Sequence, residues 1–241
     1  MKISVLALAV TAGAAMTSIA NADLIAHWNF NNSTANAVGA QLGVLNSTGS
    51  DSGSGSLTIS PGTSFNTISN GTADGVWGTF SGTTMNAVGA DPSGGSLVLQ
   101  ASLGGVAQNP VTSNGAYADF TVAKASYSDL SISFAARRTG TGFNSIQISY
   151  STDGGSTFTS LGSPKNAPNG SFGTFSESLA GNGAVNAASS IVFRLTYDGA
   201  TGGGGNTRLD NLQINGTLIP APASIALVGL AGLVAGRRRR N

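Results

Sequence analysis

Apolar and polar residues alternate along much of the chain between residues 23 and 218. A period of two is typical of β-strands with one buried face, because successive side chains point to opposite sides of a sheet. Turn residues separate the alternating segments, and none of these segments shows sustained helical periodicity. The predicted strands are 24–30, 97–101, 117–122, 130–135, 146–150, 191–197 and 209–214. This pattern predicts an all-β fold, an antiparallel β-sandwich of jelly-roll type.

The region from 31 to 96 gives a weaker pattern. It is dense in glycine, serine, threonine and asparagine, a composition that is also typical of disordered segments. Two short apolar segments, 57–59 and 65–68, predict strands within it. Because the alternation in the second half is clear, we expect one folded β domain over residues 23–218.

Residues 1–22 have the order of a secretory signal peptide. A positive charge comes first, and an apolar stretch follows at 3–15. Ala20 and Ala22 supply the small residues that signal peptidase recognises, which places the cleavage before Asp23. The alternative is an N-terminal core helix, but the order of charge, apolar run and cleavage site favours a signal peptide. We therefore expect the mature chain to be exported.

The segment 219–241 combines an apolar run with a basic end. The fourteen residues from 223 to 236 carry no charge. As a helix with a rise of about 1.5 Å per residue they cover about 21 Å, short of a hydrocarbon core of about 30 Å. Local thinning or snorkelling makes this a minimal membrane span. The positive-inside rule then keeps the end cytoplasmic and the body outside the inner membrane. The basic residues are Arg237, Arg238, Arg239 and Arg240.

This tail resembles the PEP-CTERM sorting signals of exported bacterial proteins. The resemblance is carried by Pro220, Ala221 and Pro222, by the apolar segment and by the terminal arginines. It implies an exosortase-like sorting protease as partner and a transient inner-membrane anchor before delivery to the cell surface or extracellular space. Ala221 stands where the family motif has glutamate. The tail has two possible fates. It is either cleaved near the Pro-Ala-Pro motif or kept as a permanent C-terminal anchor.

The body between the two end segments is acidic and lacks cysteine. The chain has eleven basic and ten acidic residues. Lys2 and the four terminal arginines lie in the end segments, which leaves six basic against ten acidic residues, a net charge of −4. This balance argues against a nucleic-acid partner, which needs a basic surface. The absence of cysteine excludes thiol catalysis and cysteine-ligated zinc.

Residues 149–158, SYSTDGGSTF, contain a hairpin signal. An Asp-Gly-Gly sequence between two strand-like segments predicts a tight turn. The motif resembles the Asp-box hairpin of sialidase propellers at Ser151, Asp153, Gly155, Thr157 and Phe158. Those hairpins occur once per blade and are structural, and a single copy does not support a propeller. We expect the Asp153 carboxylate to accept hydrogen bonds from the turn's backbone amides.

The segment 208–216, RLDNLQING, is similar to the closing strand of extracellular jelly-roll modules of the concanavalin-like and MAM-like kind. As in those modules, a strand that carries an arginine, Arg194, and a glycine-rich loop precede it. The resemblance implies a β-sandwich. It also implies glycans or other surface ligands as binding partners.

Residue types for acid–base catalysis are scarce. His27 is the only histidine, and its place between Ala26 and Trp28 in a predicted strand favours a packed or half-exposed residue over a base. Glu177 is the only glutamate, and we interpret it as a solvated residue on the polar face of a strand. A glycosidase needs two facing carboxylates. The sequence therefore predicts a non-enzymatic protein, and the alternative is a secreted lyase or glycosidase on a jelly-roll scaffold.

Calcium is the only cofactor that the sequence suggests. Asp153, Asp198 and Asp210 lie on or beside predicted loops, where carboxylate and carbonyl oxygens can converge on this ion. In the alternative interpretation Asp198 makes a turn, and Asp210 accepts backbone hydrogen bonds or pairs with Arg194 or Arg208.

Trp77 is the candidate sugar-binding aromatic. It lies in the glycine-rich sequence DGVWGTF, which predicts an exposed loop, whereas Trp28 is assigned to the core. Together with the export signals, these features predict a non-enzymatic surface or extracellular-matrix protein. Its candidate ligand is an exopolysaccharide.

Overall fold

The computed structural model describes residues 22–31, 44–46, 53–59, 77–101, 113–124 and 126–219. The predicted strand at 65–68 and most of the predicted signal peptide and anchor lie outside these residues. The described elements are β1 (Ala22–Trp28), β2 (Val44–Asn46), β3 (Gly55–Ile59), β4 (Trp77–Ser81), β5 (Gly95–Gln100), β6 (Ala116–Ala123), β7 (Tyr127–Arg138), β8 (Ser145–Ser151), β9 (Thr159–Asn166), β10 (Gly173–Ser178), α1 (Gly183–Ala187), β11 (Ser190–Asp198) and β12 (Asn206–Leu218).

The strands form two antiparallel sheets. The first sheet has the order β10–β7–β12–β5–β4, and β1 also pairs with β12. The second sheet has the order β2–β3–β6–β11–β8–β9. The predicted all-β fold, an antiparallel β-sandwich, is confirmed. No described helix is long and apolar enough to cross a membrane.

The core lies between the two sheets and follows the alternation of the sequence. In β6 every second residue is buried, from Ala116 through Phe120 to Val122, and the residues between them face outward. The Trp28 ring of the first sheet meets the Phe120 ring of the second edge to face, with the ring centroids 5.0 Å apart. Full burial of one large apolar side chain stabilises a fold by about 1.5–3 kcal/mol. The side chains between the sheets therefore hold the sandwich together.

Strand β12 organises the first sheet. Its first residues pair with β5 and its last residues with β1, while β7 follows its other edge. A register shift relative to β7 falls between Asp210 and Gln213, where Asn211 has a φ of 47°. Asparagine tolerates this left-handed conformation, so the sequence permits a β-bulge here.

The two ends of the described domain meet at one end of the first sheet. Ala22 of β1 pairs with Thr217 of β12, and the Ile219 amide donates to the Ser126 carbonyl at 2.8 Å. The predicted signal-peptidase site and the predicted sorting motif are therefore attached to the same end of the sandwich.

Candidate functional site

Polar residues form a row across the outer face of the second sheet. Register pairing aligns one residue from each of five neighbouring strands, β3, β6, β11, β8 and β9. These residues are Thr58, Asp119, Arg194, Ser149 and Ser160. The sheet presents this row on its outer side, where Ser149 is buried and the other four residues keep part of their surface exposed.

Arg194 is the centre of this row and is held in one orientation. Its Nε and Nη2 atoms donate to the two carboxylate oxygens of Asp119, each at 2.7 Å. The guanidinium carbon lies 3.6 Å from the ring centroid of Tyr117 and 3.8 Å from that of Phe158. Burial opposes the charge of Arg194, but the hydrogen bonds and attraction from Asp119 raise the pKa of Arg194 above its usual value. The outer face of the second sheet therefore carries a guanidinium group that is fixed between two aromatic rings.

Local sequence explains how each member reaches the cluster. Arg194 lies between buried Phe193 and Leu195 in β11, so the alternation turns it outward. Tyr117 and Asp119 are turned outward in β6 in the same way. Phe158 comes from the hairpin that joins β8 to β9. The hairpin geometry therefore decides whether the cluster forms.

Asp153 fixes that hairpin as the sequence predicts. Its Oδ1 accepts hydrogen bonds from the amides of Ser156 at 3.1 Å and Thr157 at 3.0 Å, and from the Ser151 hydroxyl at 2.6 Å. Its Oδ2 accepts from the Thr157 hydroxyl at 2.6 Å. Hydrogen bonds from Ser151 and Thr157 hold the pKa of Asp153 well below its usual range. The carboxylate thus organises the turn that delivers Phe158.

The three candidate calcium ligands lie in three separate places. Asp153 follows the end of β8, whereas Asp198 pairs with Ser145 at the start of that strand and accepts from the Gly199 amide at 2.6 Å. Asp210 lies in the first sheet, within β12 rather than in a loop. Among the described residues no group of three or more histidine, cysteine or acidic side chains is placed to hold a metal ion. Calcium binding at any one of them stays a prediction.

Asp210 and the adjacent Asn211 anchor the loop between β4 and β5. Asp210 Oδ2 accepts from the Thr83 amide at 2.6 Å, and its Oδ1 accepts from the Asn211 amide at 2.9 Å. Asn211 Nδ2 donates to the carbonyls of Thr83 at 2.7 Å and Met85 at 3.0 Å. Burial raises the pKa of Asp210 to about 7, although the two amide hydrogen bonds act in the opposite direction. In the described residues Asp210 therefore accepts backbone hydrogen bonds.

The remaining sequence candidates occupy positions that differ in part from expectation. Trp77 was expected in a loop, but it begins β4 because it pairs with Leu97 of β5; its side chain lies outside the described residues. Trp28 is fully buried, as predicted. Glu177 was expected in solvent, but it forms an ion pair with Lys165. The edge strands β9 and β10 bring these two side chains together.

His27 is buried in β1. Its Nδ1 lies 3.7 Å from Asp91 Oδ2, and the side chain is shielded from solvent. The packed-residue interpretation of His27 is therefore confirmed.

Sequence reasoning missed the cluster around Arg194, because Tyr117 and Asp119 are brought to Arg194 only by strand pairing. Alternation alone does place these three residues on outward faces.

Three solved structures illustrate what the sandwich is similar to. The CBM22-1 xylan-binding domain of Paenibacillus barcinonensis Xyn10C shares 11% identity over 85% of this chain and 100% of its own, with a TM-score of 0.40. The xylan-binding module CBM15 shares 12% identity over 66% of this chain and 100% of its own, with a TM-score of 0.38. A CBM4 structure shares 12% identity over 51% of this chain and 72% of its own, with a TM-score of 0.37.

No family model matches the chain, and no curated protein is significantly similar to it. The TM-scores of the three structures are 0.40 or below. These similarities therefore assign neither a ligand nor a binding residue to this chain.

Proposed function

We propose that the sandwich binds an uncharged, hydroxyl-rich polysaccharide on the outer face of the second sheet, as part of an exported, non-enzymatic surface or matrix protein. The observation that carries this proposal is the Arg194 guanidinium, fixed between the rings of Tyr117 and Phe158. A sugar ring has an apolar C–H face and a rim of hydroxyls. Aromatic faces complement the first, and oriented polar groups complement the second.

The shape of this face suits an extended chain. The row from Thr58 to Ser160 crosses five strands, and neighbouring strands are about 4.8 Å apart. Four intervals therefore span about 19 Å, enough for several sugar units. A second row lies beside it, formed by Tyr117, Thr196 and Gln147. Hydroxyl and amide groups thus continue along the surface on both sides of Arg194.

The charge of this face favours a neutral ligand. Asp119 neutralises Arg194 through two hydrogen bonds, so the centre of the row carries no net charge. The Asp119 pair uses Nε and Nη2 of Arg194, and the donors on Nη1 do not contribute to it. Because Asp119 already fixes the Arg194 side chain in the free protein, less conformational entropy is lost when a ligand binds.

The non-enzymatic part of the proposal is supported by what the acid–base residues contact. Glu177 pairs with Lys165, and His27 is buried beside Asp91. Inverting and retaining glycosidases both need two carboxyl groups that flank one bond. Glu177 is the only glutamate of the chain, and its ion pair with Lys165 favours a structural role over that of a general acid.

Export and sorting belong to the same proposal. The sequence predicts a signal peptide over residues 1–22 and a sorting and anchor segment over residues 219–241. Their attachment to one end of the first sheet supports a domain tethered at that end. We propose that a sorting protease cleaves near Ala221, which would release the domain from the inner membrane or pass it to another surface component.

Binding assays on the full-length chain test the glycan-binding proposal. Native gels cast with hydroxyethylcellulose or xylan should retard the wild-type protein. Truncating an aromatic contact at the centre of an interface costs about 1–2 kcal/mol, a factor of roughly five to thirty, so Tyr117→Ala should lose most of the retardation. The control Ser176→Ala changes an exposed residue of β10, in the other sheet. Equal retardation of both variants at unchanged melting temperature would refute the site.

A further inference from the structure

Gln147 lies at an irregularity in the outer face of the second sheet. The register of β8 against β9 shifts between Ile146 and Ile148, and residues 162–164 of β9 lie beside Gln147. Ile146 and Ile148 are fully buried, so the alternation turns the Gln147 side chain outward. It therefore stands on the same face as Arg194, next to a bulge, and bulges often redirect a side chain.

Backbone carbonyls at this bulge fix the orientation of the Gln147 amide. Its Nε2 donates to the Ile148 carbonyl at 2.6 Å and lies 3.5 and 3.4 Å from the carbonyl oxygens of Leu161 and Gly162. Only the nitrogen of the amide can face three carbonyl oxygens, because the amide oxygen has no hydrogen to donate. The Oε1 atom therefore points away from these carbonyls. Among the described residues no donor bonds Oε1, and this atom is not buried.

The Gln147 amide and the Arg194 guanidinium occupy different parts of this face. Gln147 is the register partner of Thr196, two residues beyond Arg194 in β11. The guanidinium bonds Asp119 of β6, whereas the amide lies against carbonyls of β9, and the strand order is β6–β11–β8–β9. The two groups are therefore separated by two strand spacings, roughly 10 Å. This distance exceeds the width of a sugar ring, so the two groups face neighbouring units of a bound chain.

We propose that Gln147 forms a second subsite of the glycan-binding face, where its Oε1 atom accepts a hydrogen bond from a hydroxyl of the sugar unit beside the one at Arg194. This inference rests on the proposed glycan binding by the second sheet. Arg194 offers donors and Gln147 an acceptor, so the two subsites differ in polarity. A free hydroxyl can donate to Oε1, whereas a carboxylate or an acetylated oxygen has no hydrogen to give. The subsite therefore selects an unsubstituted neutral sugar at this position.

The test compares variants of the full-length chain by titration calorimetry, with oligosaccharides of the neutral polysaccharide that retards the wild type in gels. In Gln147→Lys the ammonium group can still donate to the bulge carbonyls, but the acceptor is lost. The affinity should fall about threefold to tenfold, as expected for one lost hydrogen bond. Gln213→Lys is the matched control and should bind as the wild type does, because Gln213 of the first sheet also donates from Nε2 to a backbone carbonyl, that of Asn86. Acetylation of the oligosaccharide should weaken its binding to the wild type more than to Gln147→Lys.

A measurement on the wild type does not depend on how the variants fold. The side-chain amide resonances of Gln147 should shift on titration with the oligosaccharide, and those of Gln213 should not. Unshifted Gln147 resonances, or equal affinity of Gln147→Lys and the wild type, would overturn the subsite. If Tyr117→Ala still loses binding in that case, the glycan-binding proposal stands and Gln147 only closes the bulge. Equal losses in Gln147→Lys and Gln213→Lys would assign the effect to the added charge and also overturn the subsite. A wild type that neither xylan nor hydroxyethylcellulose retards would overturn both proposals.

Discussion

Asp210 makes the stability of this domain depend on pH in an unusual direction. Its side chain is fully buried at the bulge of β12, where burial raises its pKa to about 7 from a reference value of 3.8. The substitution Asp210→Asn removes the ionisation and keeps one oxygen that can accept a backbone hydrogen bond. The variant therefore isolates the free energy of ionising a buried carboxyl group.

The expected magnitude follows from the two pKa values. One pKa unit corresponds to 1.36 kcal/mol, so a shift from 3.8 to about 7 corresponds to about 4 kcal/mol. The folded state holds its proton at pH values where the unfolded chain has lost it. The destabilisation by Asp210 is therefore absent below pH 3.8, grows as pH rises, and levels off above about pH 7. Between about pH 5 and pH 8 the loss is roughly 2–3 kcal/mol.

Urea unfolding at several pH values between about 5 and 8 measures this loss. The wild type should lose roughly 2–3 kcal/mol of unfolding free energy across the range, and Asp210→Asn should lose much less. Asp129 and Asp153 do not interfere, because hydrogen bonds lower the pKa values of both groups and they titrate below this range. Parallel pH profiles for the wild type and the variant would refute the argument, whatever their difference in stability.

Four further predictions concern the Asp153 turn, calcium binding, catalysis and the two ends of the chain. Asp153→Ala should lower the melting temperature at pH 7, because it removes the hydrogen bonds of the turn. The difference in melting temperature from the wild type should shrink as the pH falls below about 4. Protonation of a carboxylate whose pKa is lowered in the folded state removes the stabilisation that it gives. If Asp210 binds calcium, as the sequence predicts, calcium should raise the melting temperature of the wild type and not of Asp210→Asn; a melt that EDTA leaves unchanged would count against it. Purified protein should not degrade exopolysaccharide, and turnover abolished by Glu177→Gln would restore the enzyme alternative. The intact mass of the exported protein should correspond to an N-terminus at Asp23. In a host that has the sorting protease, the C-terminus should lie near Ile219. A chain that ends at Asn241 in hosts with and without the protease would indicate a permanent anchor.

Strand positions were predictable because burial imposes local alternation. The prediction 117–122 lies within β6, and 191–197 lies within β11. Both strands have one face in the core, so apolar residues recur with a period of two. Alternation does not reveal strand β9, because most of its residues are exposed and its sequence is TSLGSPKN; only the hairpin signal at 153–155 predicts a strand there, starting at Thr157. Its pairing with β8, across the Asp153 hairpin, determines its structure instead.

The candidate site depends on the pairing of strands that are far apart in the sequence. Local sequence patterns do not show which strands pair or in which register. Asp119 and Arg194 are separated by 75 positions, and Thr83 and Asp210 by 127. Alternation places Asp119 and Arg194 on outward faces, but only the register of β6 against β11 makes them neighbours. The same holds for Gln147 and Thr196, which are neighbours only through the pairing of β8 with β11.

Chemical-shift mapping of the backbone amides most directly tests whether the second sheet binds glycan. The domain would be titrated with a soluble oligosaccharide of the neutral polysaccharide that retards it in gels. We predict that the largest changes fall on β6, β8 and β11 around Tyr117, Ser149 and Arg194. Changes confined to the first sheet, or to the loops at 139–144 and 199–205, would contradict it.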